Sequence, residues 1–209
     1  MTQITLHQVR EALQLPPRDP DDVHLHMAPE ARRALLTSTA NAKPAGVLVL
    51  LYPSSDGLRF VLTKRPATLR QHSGQISFPG GRQDPADESL LATALRETCE
   101  ELGLCDPDIA LLGSLTPLYV PPTNFLVYPV VGYLPALPPL QPNPLEVAEV
   151  IHVDLDRLLD LALQQREPWT FAGGTFDIPF YAFAGHKVWG ATAIMLAELE
   201  MRLRAVVGA

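Results

Sequence analysis

Proline constrains this chain more than any other residue, occurring 21 times in 209 positions. Each proline fixes φ and withholds a backbone donor, so the sequence implies many loops and interrupted elements. Thr5 to Leu15 has helical apolar spacing at Leu6, Val9 and Leu13, and Pro16, Pro17 and Pro20 stop it. From Ala45 the pattern changes to short β-type runs, Gly46 to Tyr52 and Leu58 to Thr63, joined by the turn-rich Pro53-Ser-Ser-Asp-Gly57. Further strands are predicted at Leu111 to Leu118, Phe125 to Leu134 and Val147 to Val153, with Pro135 to Pro144 as a stiff connector. The clearest helix is Asp87 to Leu102, starting at Asp84-Pro85 or Asp87 and stopped by Gly103; Leu155 to Gln165 and Gly190 to Val206 also have helical composition. The predicted class is α/β or α+β, a mixed β-sheet sandwiched between α-helices. Residues 1–44 read as an N-terminal extension packing on a core domain of residues 45–209.

The chain is 47% hydrophobic and 19% charged, enough to build a full core. No apolar run reaches the roughly 18 to 20 residues of a membrane span, and the N-terminus lacks the apolar stretch of a secretory signal. Cys99 and Cys105 are too few for a disulfide framework, and Cys99, mid-helix without an activator, reads as a small packed thiol. These features predict a cytoplasmic protein without a membrane partner; oligomeric state stays open. The formal net charge of −7 argues against non-specific binding to nucleic acid.

That average hides an asymmetry. Gly57 to Gln83 contains Arg59, Lys64, Arg65, Arg70 and Arg82 and no acidic residue; Asp84 to Glu101 contains Asp84, Asp87, Glu88, Glu97, Glu100 and Glu101 against Arg96 alone. A basic segment running into an acidic helix suits an anionic substrate bound through a divalent cation. At 100° per residue Leu91, Leu95, Thr98 and Leu102 form one buried stripe, and Glu97, Glu100 and Glu101 lie within about 100° of one another elsewhere. One carboxylate pair 4 Å apart costs roughly 4 kcal/mol at an effective dielectric of about 20, so positive charge belongs among them. Oxygen-only ligands select Mg²⁺ or Mn²⁺. Just upstream, Phe78-Pro79-Gly80-Gly81 lets backbone approach a ligand closely. His24 and His26 alternate in a strand-like run without a third ligand nearby, and His72, His152 and His186 are isolated. Trp189 reads as core or as a pocket wall.

Gly81 to Leu104 resembles the signature of the Nudix hydrolases: a glycine, a spaced Glu, seven residues, then Arg-Glu-aliphatic-any-Glu-Glu-any-Gly-aliphatic. Here Glu88 and seven residues precede Arg96-Glu97-Thr98-Cys99-Glu100-Glu101-Leu102-Gly103-Leu104. Six residues instead of five separate Gly81 from Glu88, and Thr98 replaces the usual aliphatic residue. Leu62-Thr63-Lys64-Arg65, Arg70, Gly74 and Phe78-Pro79-Gly80-Gly81 are similar to the extra motif of coenzyme A pyrophosphatases, as are Ile178-Pro179-Phe180 and Val188-Trp189-Gly190-Ala191-Thr192-Ala193.

The resemblance implies metal-dependent hydrolysis of the coenzyme A pyrophosphate to 3′,5′-ADP and 4′-phosphopantetheine. It implies Glu97, Glu100 and Glu101 as Mg²⁺ or Mn²⁺ ligands, with a carbonyl of Gly81 or Gly80 adding one. Arg96 carries over as the residue orienting a ligand carboxylate, with Glu88 as its ion-pair mate. The signature does not assign the general base; a helix Glu, Glu146 or Glu149 is the candidate. Arg65, Arg70 and, more weakly, Lys64 are candidate phosphate contacts. Two alternatives remain: a Nudix enzyme acting on ADP-ribose, NADH or a nucleoside triphosphate, and a non-catalytic nucleotide-sensing domain.

Overall fold

The computed structural model describes residues 3–16, 27–28, 39, 41–67, 74–105, 108–171 and 174–208. Arg70, His24, His26 and His72 lie outside the described residues.

Helix α1 (Leu6–Gln14) starts in a capping box, the Thr5 side chain accepting from the Gln8 amide and the Gln8 side chain accepting from Thr5 N–H. Strands β1 (Lys43–Ser54) and β2 (Gly57–Lys64) form a hairpin, and β3 (Ile76–Ser77) continues from β2. Strand β4 (Gly80–Arg82) pairs antiparallel with β1 and leads into α2 (Leu90–Leu102). Strands β5 (Ala110–Ser114) and β6 (Leu118–Val120) both pair with β7 (Phe125–Tyr133), which lies parallel to β1, Lys43 facing Phe125 and Leu51 facing Tyr133. Strand β8 (Glu149–Asp154) closes the other side against β2, completing an eight-stranded mixed sheet. A second, antiparallel sheet is formed by β9 (Gln164–Phe171), β10 (Gly174–Phe183) and β11 (His186–Trp189), ending in α3 (Gly190–Val207).

Alternation along β1 sorts the core into two clusters. Leu48, Leu50 and Tyr52 point toward α2 and pack with Val61, Ala94, Leu102 and Val147. Ala45, Val49 and Leu51 point the other way, into a larger cluster with Val9, Phe60, Tyr181, Val188 and Leu199 that joins α1, α3 and the second sheet. The mixed sheet is thus sandwiched between helices as predicted.

Pro129 and Pro179 occupy inner strands at points where a ladder bond is not required of them. Pro129 on β7 faces Val47 of β1, but on its other side it falls between the β6 pairings, which end at Val127, and the β5 pairings, which begin at Val130. Its carbonyl instead accepts from Leu115 N–H at 3.0 Å. Pro179 on β10 lies one residue beyond the last β11 pairing, Phe180 with Trp189.

Several expectations need correction. The stretch Leu155 to Gln165 is not an α-helix but two 3₁₀ turns, Leu155–Leu159 and Leu161–Leu163, interrupted by Asp160, whose carboxylate accepts from Ala162 N–H at 3.1 Å. Helix α2 begins at Ser89, which caps Ala92 N–H at 3.0 Å, whereas Asp84 to Asp87 forms a preceding turn. Cys99 is not a free thiol: Cys99 and Cys105 are disulfide-bonded. Among the described residues no helix is long and apolar enough to cross a membrane.

Candidate active site

The site is built where β4 hands over to α2. Gly80 has φ +149°, and a Cβ there would collide with the Gly46 carbonyl and Val47; the short β4 presses against β1 only because this side chain is absent. At Gly81 an added Cβ would fall inside the Glu97 carboxylate, so Glu97 lies directly on the Gly81 backbone. The glycine pair therefore brings the loop and the helix carboxylates into contact.

Of the three helix glutamates, Glu101 is the most enclosed, its residue 3% exposed. Gly80 N–H donates to it, the Thr63 hydroxyl stands 3.5 Å from its Oε2, and Arg65 supplies an opposing positive charge. Burial nevertheless pushes its carboxyl up to about 8, with Glu97 and Glu146 adding repulsion. Glu97 also rises, chiefly by burial and opposed by Arg96, with Glu100 and Glu146 contributing. Glu100 is exposed and projects toward Arg96.

Arg96 organises the rest. Its Nη1 lies 2.9 Å from Glu97 Oε1 and 3.0 Å from Glu100 Oε2, and Nη2 donates to the Arg82 carbonyl at 3.1 Å. Its ion-pair mate is Asp87, not Glu88. Arg96 Nε and Nη2 donate to the two Asp87 carboxylate oxygens at 2.9 and 3.0 Å, a two-point clasp. Thr93 Oγ1 and Asp84 N–H also donate to Asp87, both at 2.9 Å, and its carboxyl is held far below the usual range, first by Arg96. Glu88 is exposed. Sequence reasoning missed Asp87 because the expected helix start absorbed it; the extra loop residue was the available signal, since five residues separate Gly81 from Asp87.

The basic residues and the general-base candidates separate by strand parity. Thr63 faces α2, as its approach to Glu101 shows, so the adjacent Lys64 faces the opposite side of the sheet. Glu149 pairs with Lys64 in register, lies 3.4 Å from its Nζ and 2.9 Å from His186 Nε2, and is acidified mainly by His186. The structure thus places Lys64 and Glu149 away from the carboxylate cluster. Glu146, just after the connector, is close enough to raise the proton affinity of both Glu97 and Glu101. Arg65 acts on Glu101, and its Nε is buried without a hydrogen-bond partner among the described residues.

Among the described residues no three His, Cys, Asp or Glu side chains are grouped as metal ligands, because Arg96 holds Glu97 and Glu100 while Glu101 sits inside. The donors are of the right kind for a hard cation: carboxylates beside a glycine backbone, two of them with proton affinity raised by burial and mutual repulsion.

Residues 42–177 match the NUDIX domain family. The chain belongs to the Nudix hydrolases. This Nudix hydrolase is 40% identical over 144 residues to a protein named uncharacterized Nudix hydrolase NudL from Photorhabdus laumondii, covering 69% of this chain and 76% of the relative. It is 39% identical over 186 residues to the mitochondrial coenzyme A diphosphatase NUDT8 of Homo sapiens, covering 83% and 76%. Among solved structures, the Nudix hydrolase RenU of M. smegmatis superposes with TM-score 0.53 at 20% identity, covering 80% of this chain and 86% of that one. The MutT protein of Methanosarcina mazei Go1 gives 0.50 at 20% identity over 77% and 93%. At these identities the superpositions show the fold alone. Nudix hydrolases generally use divalent cations such as Mg²⁺ or Mn²⁺.

Proposed function

We propose that this Nudix hydrolase cleaves the pyrophosphate bond of coenzyme A and its derivatives, giving 3′,5′-ADP and 4′-phosphopantetheine. The observation that carries the reading is the 39% identity to a coenzyme A diphosphatase across 83% of the chain. In this reading Glu97, Glu100 and Glu101, with a carbonyl of Gly81 or Gly80, hold Mg²⁺ or Mn²⁺. The cation supplies charge neutralisation at the pyrophosphate and a more acidic water.

The chain's own residues do the rest. Asp87 fixes Arg96, and Arg96 fixes Glu97 and Glu100. Arg65, whose buried Nε–H has no partner among the described residues, donates to a phosphate oxygen. Glu146 takes the proton of the attacking water, a role for which its proximity to Glu97 and Glu101 favours it over Glu149. Arg70 is retained as a second phosphate contact on the strength of the upstream motif alone.

The test is hydrolysis of coenzyme A and of ADP-ribose, each with Mg²⁺ and with Mn²⁺, by the wild type and by Glu100→Gln. The expected result is a preference for coenzyme A in kcat/KM and a loss of at least about 100-fold in the variant. A wide margin in favour of ADP-ribose would overturn the substrate, and an unimpaired Glu100→Gln would overturn the ligand set.

A further inference from the structure

The two cysteines bracket the end of the helix that carries the carboxylates. Cys99 directly precedes Glu100 and Glu101, and Cys105 follows the C-cap Gly103 by two residues. Their Cα atoms are 4.6 Å apart and their sulfurs are bonded, so the covalent loop they close contains both glutamates. The same helix end receives the proline-rich connector: Gln141 N–H donates to the Leu102 carbonyl and Asn143 N–H to the Glu101 carbonyl, each at 2.8 Å. Asn143 in turn accepts at its carbonyl from Glu146 N–H at 3.0 Å. The bridge, the last helical turn and the segment bearing Glu146 are therefore mechanically continuous. Cys99 is partly buried and Cys105 is exposed, so a small thiol reaches the bond from solvent.

We infer that Cys99 and Cys105 form a reversible redox site, the disulfide holding the ordered, more active state of the helix end. A low-molecular-weight thiolate attacks the Cys105 sulfur, forming a mixed disulfide and releasing the Cys99 thiolate. A second small thiolate attacks the outer sulfur of that mixed disulfide, releasing Cys105 and one small disulfide. The protein gains two electrons and two protons, and the two small thiols lose them; a small disulfide drives the reverse. Reduction frees the chain beyond Gly103 from Cys99 and loosens the turn that presents Glu100 and Glu101. Displacements of about 1 Å in such groups cost up to roughly 100-fold in rate.

The experiment equilibrates the full chain with reduced and oxidised glutathione at graded ratios and counts free thiols by mass-tagged alkylation. Thermal unfolding and amide exchange across residues 99–105 are followed in the same samples. Hydrolysis is read on coenzyme A capped as a thioether, so that the substrate does not reset the bond, or on whichever pyrophosphate the protein hydrolyses. Expected are two tags when reduced and none when oxidised, and faster amide exchange and a Tm lower by roughly 5 °C on reduction. Activity should fall at least about threefold on reduction and return on re-oxidation. In Tm, amide exchange and activity Cys105→Ser should behave as the reduced wild type at every ratio. Two tags under all conditions, or oxidised and reduced forms with equal Tm and equal activity, would overturn the inference. Thiol counting, Tm and exchange need no substrate, so failure of the coenzyme A reading is told apart from failure of this one.

Discussion

Asp87 clasps Arg96 at two points, and Arg96 in turn holds Glu97 and Glu100. Asp87→Asn leaves one oxygen to accept and replaces the other with an amide that opposes the guanidinium, so Arg96 loses its fixed position. Expected is a fall in kcat of about 10- to 100-fold with KM little changed, measured in steady state. Glu88→Gln should stay within about twofold of wild type, since Glu88 is exposed and Arg96 is engaged elsewhere. Glu101 gives a pH prediction for the cation-free protein. Its folded pKa, about 8, stands above its ordinary value of 4.5, so its contribution to stability is full below pH 4.5 and is lost as pH rises to about 8. In EDTA-treated protein the Tm of Glu101→Gln, relative to wild type, should therefore improve steadily between pH 4.5 and pH 8. A difference that does not move with pH would mean that Glu101 titrates as an exposed glutamate does.

At the scale of elements, α3 shows how polar groups enter the core. Glu198 and Arg202 have side chains 1% and 4% exposed and pair at 2.8 Å; Glu198 also accepts from the Thr116 amide and hydroxyl, and Arg202 donates to the Leu15 carbonyl. Arg202→Met strands a buried carboxylate, and a loss of about 3 to 5 kcal/mol in urea unfolding is expected. Adding Glu198→Gln should recover part of it, because the amide oxygen still accepts from Thr116; a double variant less stable than the single one would show that the charge is not what costs. In the sequence these charges interrupt an apolar run, but nothing there indicates that they face inward. The legible elements were α1 and α2 by their periodicity, α3 by its composition, and the β1–β2 hairpin, β7 and β8 by their short apolar runs. The second sheet was not, because β9 runs Gln164-Gln165-Arg166-Glu167-Pro168 and β10 carries Pro179, and only the tertiary gap opposite Pro179 makes that strand acceptable. The site divides the same way. The helix spacing that groups Glu97, Glu100 and Glu101 can be read from the chain, whereas the parity that turns Glu149 away from them depends on the pairing of Lys64 with Glu149.

For the whole molecule, the net charge of −7 and the five-to-zero basic stretch resolve into one arrangement, with Arg65 set against the enclosed Glu101 where a cation would convert repulsion into attraction. That arrangement depends on a core to which the N-terminal segment contributes. Ile4, Val9 and Ala12 are fully buried in the cluster that also holds Leu196, Leu199 and Leu203, Ile4 N–H donates to Asp156 at 2.8 Å, and Leu13 lies over Gly113. The family match, by contrast, begins only at residue 42. Burying an aliphatic side chain contributes roughly 1.5 to 3 kcal/mol, so residues 1–15 supply on the order of 5 kcal/mol, comparable with the total stability of many domains. Deleting residues 1–15 should therefore lower the urea midpoint steeply or abolish cooperative unfolding, with activity lost in proportion to the folded fraction. A truncated chain with the wild-type midpoint would instead make the segment a peripheral attachment, and the folding unit would begin near the first residue of β1.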